Sequence, residues 1–93
     1  MDLHTRLEDL RSVAAKLSIE IAMENLGDEN MPVQSGYCKV KGKNLILLDK
    51  KLSQEDQIRI ILEAVEKFDL ESIYVPSWIR EHLEKRPTQK TEL

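Results

Sequence analysis

The chain has 93 residues, which predicts one domain with a single core and no second one. Hydrophobic residues at 41% and charged residues at 33% exclude the composition of a disordered chain, and aromatics at only 4% call for an aliphatic core. A net charge of -3 argues against a generic nucleic-acid binder, and one cysteine excludes an internal disulfide or a cysteine-based metal site.

The N-terminal residues Met1-Asp-Leu-His-Thr-Arg-Leu-Glu-Asp9 are charged from the second position, unlike a signal peptide. No stretch approaches the roughly 20 apolar residues of a membrane span. With one cysteine and no oxidative framework, the cytoplasm is the expected compartment. Leu3, Leu7, Leu10, Ala14 and Leu17 then fall on one stripe of a helix from about Asp2 to Lys16, with Asp2 as its cap. That stripe spans about two heptads, short of the ~3 to 4 of a coiled coil, and reads as a core face. From Leu17 the period becomes two: Leu17, Ile19, Ile21 and Met23 alternate with Ser18, Glu20, Ala22 and Glu24, as in a half-buried strand from about Ser18 to Asn25.

Residues Asn25 to Gly36 concentrate turn formers around Pro32 and predict a long loop. Its Asp28, Glu29 and Asn30 lack the alternate-residue oxygen ligands of a calcium loop. A hairpin follows, with strands Gly36 to Lys41 and Asn44 to Asp49 around Gly42. Ser53 and Asp56 have the spacing of a capping box, and Ile58, Ile61, Leu62, Val65 and Phe68 make one face of a core helix from about Gln54 to Phe68. Ile60 lies off that stripe. Asp69 to Val75 is a connector, Pro76 opens a short last helix with Trp78, Ile79 and Leu83 inside, and Pro87 ends it. The domain is therefore expected over 1–86, with 87–93 as a disordered polar tail. The fold class is α+β: a three-stranded antiparallel sheet under an N-terminal helix, a core helix and a short C-terminal helix.

This order resembles, in layout alone, the core of small zinc-peptidase-like domains of the phage-immunity-repressor type, over roughly Leu10 to Phe68. The resemblance implies a His-Glu-x-x-His motif on the core helix. The corresponding pentad here is Leu62-Glu63-Ala64-Val65-Glu66, in which only the glutamate matches, and His4 and His82 lie in the two terminal helices. Two histidines one helical turn apart are what zinc would need, so no metal, cofactor or enzymatic activity is expected. As a whole the chain also looks like short bacterial proteins grouped as domains of unknown function, which implies a fold and no activity.

Cys38 shares a strand side with Val40 and is expected as a buried small hydrophobe, not a nucleophile. Lys39, Lys41 and Lys43 on the outer side of the hairpin, Lys50 and Lys51 at its base, and Tyr37 on the same strand face form a candidate anion or nucleic-acid contact. Edge lysines equally serve to keep sheets from associating. Ile60, Tyr74, Trp78 and Ile79 form a candidate apolar interface for a protein partner or a second copy of the chain. The expectation that ranks first is a non-catalytic interaction or regulatory module that self-associates through its helical side; nucleic-acid binding ranks second, and an inactive relative of the zinc-peptidase layout third.

Overall fold

The computed structural model of the chain describes residues 2–26 and 35–85. The expected loop from Asn25 to Gly36 falls mostly outside these residues, and the expected tail wholly so. The element order is α1 (Leu3–Lys16), β1 (Ile19–Glu24), β2 (Gly36–Val40), β3 (Lys43–Asp49), α2 (Gln54–Val65) and α3 (Ser77–Lys85), an α+β arrangement.

The helix starts follow their caps. The Asp2 side chain accepts from Thr5 N at 2.8 Å, and Ser53 Oγ accepts from Asp56 N at 3.1 Å, each satisfying an orphan donor of the first turn. Acidic Glu55 and Asp56 sit where the helix dipole favours them. α2 ends at Val65, and Phe68 N donates to Val65 O in a following turn, so Phe68 packs on the core from just beyond the helix.

The sheet is mixed and ordered β1-β3-β2, not antiparallel throughout. β1 runs parallel to β3, pairing Ile19 with Asn44 through Glu24 with Asp49, while β2 and β3 form the antiparallel hairpin. The physical reason lies in β3. Asn44-Leu-Ile-Leu-Leu48 is apolar on both faces, which suits a central strand, whereas β1 and β2 alternate charge with apolar residues and suit the edges. β1 and β2 therefore lie on opposite sides of β3, about 10 Å apart at two strand spacings.

α1 and α2 pack on one face of the sheet, and α3 joins the same core through Ile79. Ile19, Ile46 and Leu48 meet Leu7, Leu10, Val13, Ile58, Ile61, Leu62 and Val65 in a single aliphatic core, closed at one end by Val75 and Ile79. α1 packs on β1, and α2 packs on β2 and β3 with α1 at its side, so the buried face of α2 is wide enough to include Gln57, Ile60 and Ala64. No helix among the described residues is long and apolar enough to cross a membrane.

Candidate interaction surfaces

The candidate apolar interface on the helical side divides in the structure. Ile79 is 0% exposed and Ile60 8%, so both belong to the core. Trp78 is partly buried, its Nε1 donating to Asp9 Oδ2 at 2.8 Å while the Arg6 guanidinium carbon lies 5.0 Å from its ring centroid. These contacts tie α3 to α1 across 69 positions of sequence. Tyr74 alone projects, 71% exposed with Lys16 Nζ 5.1 Å from its ring centroid. Among the four residues, then, only Tyr74 presents most of its surface, and it stands apart from Ile60 and Ile79.

The basic set also divides. Strand register places Tyr37 opposite Ile46 and Lys39 opposite Asn44, on the helix-covered face. Tyr37 packs edge-on against Phe68, with ring centroids 5.8 Å apart and planes at 80°, and its hydroxyl donates to Asn44 Oδ1. Its ring is thus turned into the layer beneath the helices and away from Lys43, which stands on the opposite face. Lys41 and Lys43 mark the hairpin tip. Lys50 and Lys51 follow the other end of β3, a strand length of about 20 Å away.

Cys38 is the clearest reversal. Its register partner is Leu45, so it lies with Val40 on the face away from the helices, half-buried and not in the core. Alternation told correctly that Cys38 and Val40 share a side, but which side is covered was decided by β3, whose Ile46 and Leu48 are fully buried while Leu45 and Leu47 are not.

This open face is the feature that the sequence reading missed. Ala22 from β1, Leu45 and Leu47 from β3, and Cys38 and Val40 from β2 form a continuous apolar strip on it, with Val40 47% exposed. A shallow hollow on the strip is bordered by Glu20 and Glu24 on one side and by Lys41 and Lys43 on another. The signal was present in the double apolarity of β3, which reads as burial on both faces and here leaves one face uncovered by any described element. Four consecutive apolar residues in a strand with helices on one side only require a second covering layer or an exposed apolar surface.

On α2, the pentad Leu62 to Glu66 presents a buried leucine and an exposed Glu63, whose carboxylate lies 3.7 Å from Arg59 Nη1. Among the described residues no group of three or more His, Cys, Asp or Glu side chains is placed to hold a metal ion. Comparison of the chain with protein-family models, with curated proteins and with solved structures finds no match.

Proposed function

We propose that the chain is a non-catalytic protein-interaction module of the cytoplasm, and that the open face of its sheet is the docking surface. The observation that carries this reading is the strip Ala22, Cys38, Val40, Leu45 and Leu47, apolar and, among the described residues, uncovered, while the buried aliphatic core lies on the helix side of the sheet. Leaving such a strip in water forfeits about 25 cal/mol for each Å² that a partner would cover. Interfaces are built in this way, with an apolar centre inside a charged rim.

The test is an affinity pull-down of the tagged chain from the lysate of its source organism, with the double variant L45E/L47E as the paired bait and half of each sample treated with nuclease. A protein retained by the wild-type chain after nuclease treatment and lost from the variant is the expected result. Material that disappears with nuclease and depends on Lys41 and Lys43 would replace this reading with nucleic-acid binding. Retention by both baits would move the docking surface off the sheet.

A further inference from the structure

The rim of the open face is arranged so that the face complements itself. Along β3 the outward positions are Lys43, Leu45, Leu47 and Asp49, and β1 places Glu24 beside Asp49 at the same level. Lys41 stands in the turn beyond Lys43. On this face Lys41 and Lys43 therefore stand at the hairpin end and Glu24 and Asp49 at the opposite end, about 20 Å along the strands, with the two leucines between them, Glu20 beside Leu45 on the edge strand, and Lys50 and Lys51 in the turn after Asp49. From this arrangement we infer that the occupant of the open face is a second copy of the same chain, packed sheet on sheet about a twofold axis that lies across the strands at the level of Ile46.

That axis is selected by the charges. A twofold lying across the strands superposes Leu45 of one copy on Leu47 of the other and carries each Lys43 over the partner copy's Asp49 and beside its Glu24. A twofold along the strands would instead stack Lys43 on Lys43 and Asp49 on Asp49, and like charges brought together in an interface oppose association. The sheets would sit about 10 Å apart, a separation that facing leucine side chains fill and that lysine and glutamate side chains bridge at the rim. Isologous pairing of this kind closes after two copies, so it yields a dimer and no fibre.

Area sets the strength. Three strands of this length present about 300 Å² in projection, well under the ~800 Å² that each partner contributes to an interface of standard size. The dimer is accordingly a weak, reversible one, populated at high concentration. This inference rests on the reading of the open face as a docking surface, and it names that surface's partner.

Sedimentation equilibrium of the wild-type chain over about 10 µM to 1 mM, the range suited to a weak interface, tests it. The apparent mass is expected to rise from that of one chain toward that of two. L45E/L47E stays at the mass of one chain throughout, with an unchanged far-ultraviolet circular dichroism spectrum. Glu24→Lys and Lys43→Glu each weaken self-association at least tenfold, whereas Glu20→Lys, which lies away from the partner's hairpin end, changes it less than threefold. An equimolar mixture of Glu24→Lys and Lys43→Glu associates more tightly than either variant alone, because each supplies the sign the other lacks. A wild-type chain that remains a monomer at 1 mM overturns the inference. So does a dimer that survives L45E/L47E, or one weakened more by Glu20→Lys than by Glu24→Lys. If the chain is monomeric while a different protein is still captured by the wild-type bait and lost from L45E/L47E, only the identity of the partner fails; if no bait captures anything through this face, the functional reading fails with it.

Discussion

The hairpin turn shows how two residues fix the register on which the open face depends. Val40 pairs with Lys43, leaving Lys41 and Gly42 as a two-residue connection with φ of 52° and 81°. Such a turn needs positive φ at both positions, because only then does its twist match that of the strands. Gly42 adopts this conformation freely, but Lys41 is held in the left-handed region at a cost of about 1 kcal/mol. Lys41→Gly should therefore leave stability unchanged or raise it by up to ~1 kcal/mol, whereas Gly42→Ala should lower it by about 1 kcal/mol. Open space surrounds the position a Gly42 side chain would take, so the loss would be backbone strain alone. Urea denaturation of the two variants checks the sign, and a Gly42→Ala protein as stable as wild type would mean that the turn is of another type. The start of α1 has a simpler dependence. Hydrogen bonds from the Thr5 backbone N–H and hydroxyl hold the Asp2 carboxyl below its usual range, so the cap contributes above the ordinary aspartate pKa and is lost as pH falls through the lowered one.

The helices and their starts were legible in the amino-acid sequence because each start is announced by chemistry close along the chain, whereas the core helix ends at Val65, short of the expected Phe68. Asp2, Ser53 and Pro76 stand immediately before the observed helices, and the apolar spacing of Leu7, Leu10 and Ala14 or of Ile58, Ile61 and Val65 marks the buried stripe. What that spacing leaves undetermined is the width of the buried face. Ile60 lies off the stripe of α2 yet is buried, since this helix is covered by α1 on one side and by the sheet on the other. The role of Trp78 was equally out of reach, because its partner Asp9 is remote in sequence and joins it only when α3 docks on α1. A partly buried indole N–H bonded to a carboxylate is worth about 1.5 to 3 kcal/mol, and the large ring adds apolar contact beyond that. Trp78→Phe should accordingly cost about 2 kcal/mol, and Asp9→Asn, which keeps an acceptor, clearly less. Combining Trp78→Phe with Asp9→Ala in a double-mutant cycle measures the coupling. Additive losses would show that the pair does not hold α3 in place.

The strand pairing and the choice of covered face belong to the molecule as a whole, which is why sequence alternation mistook both. Period-two patterning separates Cys38 and Val40 from Tyr37 and Lys39, but it carries no label for inside, and an aromatic paired with a lysine is as plausible outward as inward. The helices resolve it: they pack against Ile46 and Leu48, and every strand residue in register with these is drawn under them. Adjacent leucines of β3 should therefore differ sharply. Leu48 is fully buried, and Leu48→Ala should cost about 2 to 5 kcal/mol, the transfer of the side chain plus the cavity left behind. Leu47, one position away on the open face, leaves no enclosed cavity when shortened, so Leu47→Ala should cost less than about 1 kcal/mol in dilute solution. The comparison has a second part if two chains cover each other's open faces. Association stabilises the folded state by mass action, so the wild-type melting temperature should rise with protein concentration while that of Leu47→Ala rises less, and the gap between them should widen. Leu48→Ala, which acts inside the monomer, should keep a nearly constant gap from wild type over the same range. Equal losses for the two leucines in dilute solution would mean that a second layer already covers the sheet within one chain. A Leu47 gap that stays fixed as concentration rises would leave the open face of the sheet without a second copy to cover it.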